Sequence, residues 1–286
     1  MFIMKSGVMV LIFCVLNVFC LFSAFCADGS NNDSEIFTFR VAPDSVRVWR
    51  GYKANSIDNS RFFKLLGTVF IPGTPLFQAP LGLTAYLPAI LSADAPDFIP
   101  DEIALVFYKS KEKYKETFKT IAGRAYGALH GTVFSFSKEK RSTSAWPKLL
   151  KDIFVFDTPY YLFNLPIDWQ KGIAVLYVAG NTPGMTKTDF KNSLFQYLKR
   201  LQKTRPIGLD GAIVVATGSY FIYWEHWLNS SFRNKYSNIN ELNSFSVEYL
   251  KGDAVEIKSS GNIYSPNPGL KAIVGGEIFN FSFPRK

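Results

Sequence analysis

The chain has 286 residues, with 32 Lys plus Arg against 23 Asp plus Glu and a formal charge of +9. That length supports a sizeable core, as one large domain or two small ones, without disulfide staples. The basic balance favours polyanionic partners, whether nucleic acid, anionic lipid or acidic glycan.

The amino terminus carries one early cation, Lys5, then an apolar run from Val8 to Phe25, then the polar segment DGSNNDS. This is the layout of a secretory signal peptide, with Ala24 and Cys26 at the −3 and −1 positions of a cleavage before Ala27. An uncleaved anchor is the alternative, since the run has the length of a membrane span. Acylation of Cys26 is disfavoured by the bulky Phe25 before it. Residues 1–26 are therefore expected to form the leader and 27–35 a flexible new terminus. Cys14, Cys20 and Cys26 all lie in the leader, so the mature chain has no thiol. Disulfides, thiolate metal sites and cysteine nucleophiles are excluded from it. Export to a periplasmic or extracellular space also removes nucleic acid as a partner.

The first folded unit is expected over residues 36–157. Ile36–Val41 (IFTFRV) reads as a strand, followed by a second apolar patch at Val46–Trp49. Ser56, Asp58 and Ser60 are alternative N-caps for a helix carrying Phe62, Phe63, Leu65, Leu66, Val69 and Phe70, which Pro72-Gly73 ends. Leu83–Leu91 reads as a strand, and Pro88 inside it marks an edge or a bulge.

Then come an apolar strand, DEIALVFY, and a long helix, KSKEKYKETFKTIAGRAYGALH. Tyr114, Phe118, Ile121, Ala125 and Leu129 recur on one stripe of this helix. Ser110 caps its start, Gly131 sits where a left-handed stop is expected, and GTVFSF follows as a strand. Gly123 and Gly127 share a helical face that admits either a sheet or a ligand close to the backbone.

The second unit is expected over residues 158–286, after a connection holding a strand at Ile153–Phe156. Ile173–Ala179 is a buried strand, and Thr186 with Asp189 makes a capping box for a helix bearing Phe190, Leu194, Tyr197, Leu198 and Leu201. Gly211–Ala216 and Tyr220–Trp224 are paired strands around Thr217-Gly218-Ser219. A segment with helical potential, Asn229–Leu250, and a strand at Ala254–Ile257 complete the order. Both halves thus read strand, helix, strand, strand, helix, strand.

Motifs for common chemistries are absent. GNTPGMTKT follows a strand and opens a helix, but Thr186 stands where a phosphate loop needs Gly before Lys187. No G-x-S-x-G, H-E-x-x-H or G-x-G-x-x-G occurs. The only histidines are His130 and His226, which leaves little scope for a metal centre, and none is expected. His130, near the helix C-terminus, is expected to be favoured in its protonated form by the helix dipole. Arg124, Tyr126 and His130 are the candidates for chemistry, although Arg124 and Tyr126 lie two apart and share no helical face completely. The aromatic content of 16% means either an aromatic core or a pocket lined with rings.

The runs FFKLLGTVFIPGT, GLTAYLPAIL and DEIALVFYKSKEKYKETFKTIAGRAYGALH resemble the dimeric α/β-barrel superfamily of ferredoxin-like domains, which includes small monooxygenase-like, haem-degrading and chlorite-dismutase-like proteins. The resemblance implies two tandem ferredoxin-like βαββαβ units packed as one α/β barrel. It also places His130 where haem-binding members hold a ligand to iron. The leading expectation is an exported protein that binds an apolar or aromatic small molecule in an aromatic-lined barrel pocket. The alternatives are a monooxygenase- or peroxidase-like enzyme, cofactor-free or with haem on His130, and a basic protein that binds an anionic envelope surface.

Overall fold

The structure is a computed structural model that describes residues 40–41, 45–91, 97–148, 155–163, 167, 169, 172–181 and 185–236, and the backbone of Leu250–Lys258, Leu270–Val274 and Glu277–Phe281. The leader, Ile36–Phe39, Ile153 and Phe154 of the expected Ile153–Phe156 strand and most of the segment after Tyr236 lie outside the described residues, while Val155 and Phe156 are described and lie in no strand. Among the described residues no helix is long and apolar enough to cross a membrane.

The first sheet is built from β2 (Val46–Gly51), β3 (Leu83–Ile90), β4 (Glu102–Tyr108) and β5 (Thr143–Ala145) in the order β3-β4-β2-β5, all antiparallel. The second holds β7 (Ile173–Asn181), β8 (Leu209–Ala216), β9 (Tyr220–Trp227) and β10 (Leu250–Lys258) in the order β8-β9-β7-β10. In each, the unit's own first strand lies between its third and fourth, and its second lies on the other side of the third. This is the strand order of a ferredoxin-like βαββαβ unit, so the tandem architecture is present. Two short strands, β1 (Arg40–Val41) and β6 (Tyr160–Tyr161), extend the second sheet beyond β8. The hairpin β11 (Leu270–Val274) and β12 (Glu277–Phe281) stands as a separate sheet.

Several element assignments shift. IFTFRV does not open the first unit: of it, Arg40 and Val41 pair with Tyr161 and Tyr160 in the second sheet, and β2 takes the opening role. GTVFSF is not its fourth strand. The helix runs through Gly131 to Val133, Phe134 and Phe136 make only isolated bridges, and β5 completes the sheet. Gly131 keeps right-handed backbone and ends nothing; among the described glycines only Gly82, Gly172 and Gly208 have positive φ.

The helix also continues past Pro72-Gly73. After α1 (Asn59–Leu65), capped by Asp58, a π turn (Leu66–Phe70) leads into α2 (Ile71–Gln78), where Pro72 occupies the first turn and needs no N–H partner. Pro88 does lie on the edge strand β3, where its missing N–H costs no ladder bond.

The long predicted helix is two. Ser110 caps α3 (Lys111–Thr117), and Thr120 then opens α4 (Ile121–Val133) by accepting from the Gly123 N–H at 2.9 Å. A Cβ on Gly123 would collide with the Thr117 carbonyl, so glycine is required at this close turn. The break rotates the expected stripe outward. Phe118, Ile121 and Ala125 are exposed, while Gly123, Tyr126, His130 and Val133 turn toward the sheet.

Alternation along the strands sorts side chains into three cores. Val46, Val48, Leu87, Leu105 and Phe107 of the first sheet meet Leu176, Val178, Ile213, Ile222 and Trp224 of the second, face to face. The outer face of the first sheet packs on α1, α2 and α4 through Trp49, Phe62, Phe70, Tyr86 and Phe134. The outer face of the second packs on α5 (Lys187–Lys203), whose Phe190, Leu194, Tyr197, Leu198 and Leu201 are all fully buried as their spacing predicts. The Thr186–Asp189 capping box is formed, with the Asp189 N–H donating to Thr186 Oγ1 at 3.1 Å. A last short helix, α6 (Ser230–Tyr236), follows β9.

Candidate functional site

A cavity of about 230 Å³ lies between the outer face of the first sheet and its helices. It is aromatic-lined; between the two sheets, by contrast, apolar side chains from both meet.

The floor follows from strand register. Arg47 lies opposite Val106, which lies opposite Tyr86; Trp49 lies opposite Ala104; Gly51 lies opposite Glu102. All of these side chains point away from the opposing sheet. The small Ala104 leaves space at the centre, ringed by Arg47, Trp49, Tyr86 and Glu102, which all line the cavity. Tyr126, Gly127 and His130 of α4, Thr74 and Gln78 of α2 and the rings of Tyr114, Phe118 and Phe136 form the walls and mouth.

Two ionisable groups stand on its floor. Glu102 is buried and accepts from Trp49 Nε1 and from Tyr86 Oη, each at 3.0 Å. Burial raises its carboxyl to about 7, against the opposing pull of those two hydrogen bonds and of the Arg47 charge. Arg47 stacks its guanidinium 4.7 Å from the Tyr114 ring centroid and 5.7 Å from that of Trp49. Its Nε is buried and has no hydrogen-bond partner among the described residues. A buried donor on a cation is costly to leave unmet, which makes Arg47 the natural seat of an anionic or acceptor oxygen.

The remaining polar groups are held in place. Tyr108 Oη donates to Gln78 Oε1 at 3.1 Å, and the hydroxyls of Tyr126 and Thr74 are hydrogen-bonded to each other. His130 Nδ1 lies 2.9 Å from the Tyr126 carbonyl. A carbonyl only accepts, so Nδ1 carries the proton and Nε2 is the ring's acceptor. Rings of Trp49, Phe70, Tyr126 and Phe134 enclose the imidazole at centroid distances of 4.7–5.6 Å. Their desolvation pushes its pKa down to about 4, and the nearby Arg47 charge acts in the same direction. The helix dipole does not prevail here, and His130 is neutral at neutral pH.

Of the three candidates from the sequence, Tyr126 and His130 therefore stand together on the cavity wall. Arg124 does not join them: it is exposed, and its Nη1 donates to the Lys119 carbonyl at 2.9 Å. Sequence reasoning missed Glu102, Arg47, Trp49 and Tyr86. The available signal was a charge interrupting an apolar strand, as Arg47 does between Val46 and Val48.

A haem on His130 does not fit this site. The cavity falls below the roughly 300–1,000 Å³ of clefts that hold drug-sized ligands, and rings surround the imidazole. Among the described residues no group of three His, Cys, Asp or Glu side chains is placed to hold a metal ion. The other histidine, His226, is buried, with its Nδ1 2.5 Å from Asp210 Oδ1 and its ring against Trp169. A second, open cleft of about 860 Å³ has Arg50, Asp157, Lys140 and Asp97 on its walls. Those charges are paired, Arg50 with Asp157 at 2.5 Å and Lys140 with Asp97 at 3.8 Å.

No protein-family model matches the chain, and no curated protein matches it. Among solved structures it is similar to a candidate monooxygenase of Fusobacterium nucleatum, with a TM-score of 0.43 and 9% identity over 83% of this chain and 94% of that one. A candidate monooxygenase of Lactobacillus acidophilus gives 0.36 and 6% over 83% and 98%. An anthrone oxidase-like protein gives 0.37 and 10% over 77% and 93%. Strand order and register carry the fold assignment by themselves: the architecture is two ferredoxin-like βαββαβ units on one chain, with their sheets face to face.

Proposed function

We propose that the cavity binds a small aromatic molecule bearing one acidic oxygen, such as a phenol. The observation that carries this reading is the unmet Nε of Arg47, which shares a largely ring-lined cavity with the Glu102 carboxyl. Trp49, Tyr86, Tyr114 and Phe118 supply ring faces and edges for an aromatic guest. Arg47 supplies the counter-charge for its oxygen.

4-Nitrophenol tests this, because its phenolate absorbs in the visible. Titration of the protein is expected to give a saturable rise in the phenolate band, lost in Arg47→Leu. No saturable change, or the same change in Arg47→Leu, overturns the reading.

A catalytic reading is favoured by one further observation, the placing of the Glu102 carboxyl on the cavity floor with Arg47, where burial raises it to about 7. Such a group is poised to take a proton near neutral pH. In a cofactor-free oxygenation, Glu102 removes the phenolic proton and Arg47 faces the phenolate. A ring carbon then gives an electron pair to O₂, forming a C–O bond, and the hydroperoxide anion takes the proton back from Glu102. Oxygen uptake with 2-naphthol in metal-free buffer, lost in Glu102→Gln, is the expected result. Uptake unchanged in that variant removes Glu102 as the base.

A further inference from the structure

The outward face of α4 is made of the wrong residues for water. Ile121 is 80% exposed, and Ala122, Ala125 and Ala128 are exposed beside it. Phe118 and Phe136, each 50% exposed, stand at the mouth of the adjacent cavity. The helix has no acidic residue and one cation, Arg124. A helix apolar on both faces is ordinarily covered on both.

The surroundings are strongly basic. Residues 111–141 hold eight Lys or Arg and three Glu. Lys115, Lys119 and Arg124 are exposed, while one of the acids, Glu116, is engaged by Lys113 at 2.8 Å. A second copy of the chain would bring these cations against their own counterparts across a two-fold axis. An anionic surface would meet them with opposite charge. Exposed Phe and Ile side chains ringed by Lys and Arg are the chemistry of interfacial membrane binding, in which rings enter the acyl boundary and cations meet headgroups.

We propose that this face, formed by Phe118, Ile121, Ala125 and Phe136, docks on an anionic lipid surface. The cavity mouth then opens toward the bilayer, a consequence that rests on the ligand-binding reading. Co-sedimentation with vesicles of phosphatidylcholine containing about one-third phosphatidylglycerol tests the docking. Binding is expected to such vesicles and not to pure phosphatidylcholine, to weaken at about 0.5 M salt, and to fall at least about tenfold in Ile121→Asp/Ala125→Asp.

Equal binding to both vesicle types, or no effect of the double substitution, overturns the proposal. So does light scattering that shows a dimer in the wild type and a monomer in the variant, which would make the face a contact between copies. Neither Ile121 nor Ala125 lines the cavity, so 4-nitrophenol binding by the variant is expected to match the wild type. Failure of docking and failure of the ligand-binding reading thus give different results.

Discussion

The two units share one topology and differ in what fills the space between sheet and helices. In the second unit, Tyr177, Tyr223 and Trp227 of the sheet are met by Phe190, Leu194, Tyr197, Leu198 and Leu201 of α5, all fully or nearly fully buried. In the first, the sheet presents Arg47, Trp49, Tyr86 and Glu102 around the small Ala104, and α4 answers with Tyr126, Gly127 and His130. Each unit also buries one carboxyl on its third strand. Glu225 accepts from Trp227 Nε1 at 2.8 Å, and burial raises it to about 7, as it does Glu102. A buried carboxyl is therefore not what distinguishes the candidate site. What distinguishes it is the side-chain volume withheld by helix and strand around that carboxyl.

If the second unit is the load-carrying core, emptying it should be costly. Leu194→Ala removes a fully buried side chain between rings and is expected to cost about 2–5 kcal/mol. For a chain of this size that lowers the melting temperature by roughly 5–15 °C. In the first unit, Phe118→Ala removes a half-exposed ring at the cavity mouth and is expected to cost under about 1 kcal/mol. Comparable losses in thermal denaturation of the two variants would break the contrast.

Titration sharpens it next. Glu102 is raised from the ordinary 4.5 to about 7, so between those values the folded chain holds a proton that the unfolded chain has lost. Stability from this group is full below about 4.5 and declines as pH rises through 7. Glu225 contributes with the same sign over the same window. His130 opposes both: its folded value of about 4 lies below the ordinary 6.5, so its contribution rises as pH climbs from 4 to 6.5. Glu102→Gln keeps an acceptor for Trp49, lets the Tyr86 hydroxyl turn to accept from the amide NH2, and removes the ionisation. It is expected to lie close to the wild type near pH 4.5 and to exceed it by on the order of 3 kcal/mol at pH 8. Denaturant melts at the two pH values check this, and a variant less stable than wild type at both would show that the carboxyl is held ionised.

The fold was legible where one face of an element is buried and the other differs from it. DEIALVFY, IAVLYVA and the stripe of α5 all form as their periodicity predicts. GTVFSF was misread because β-branched and aromatic residues favour strands locally, while Val133 completes the helix and buries fully against Trp49 and Phe134. The stripe at Phe118, Ile121 and Ala125 was misread for a different reason. Hydrophobic spacing identifies a face but not whether a sheet or something outside the chain covers it. Half of the site was visible on one helix, as Tyr126 and His130. Glu102 was not, because an acid at a strand start is usually solvated. Its carboxyl is defined by Trp49, 53 positions away, and Tyr86, 16 away, and no local pattern carries such pairs.

The smallest change gives the cleanest separation between packing and function. Gly127 and Gly131 both lie inside α4, and a Cβ added at either would meet nothing within 4 Å. Neither glycine is explained by tight packing, unlike Gly123. Replacing an interior helical glycine with alanine is worth up to about 1 kcal/mol in stability. Gly127→Ala and Gly131→Ala are each expected to raise the melting temperature by about 2–4 °C. Only Gly127 lines the cavity, and only its methyl would occupy space that a ligand needs. Several-fold weaker 4-nitrophenol binding is therefore expected for Gly127→Ala alone, with Gly131→Ala binding as wild type does. Equal binding by both would mean that the open space at Gly127 serves no guest, and the difference between the two units would reduce to looser packing.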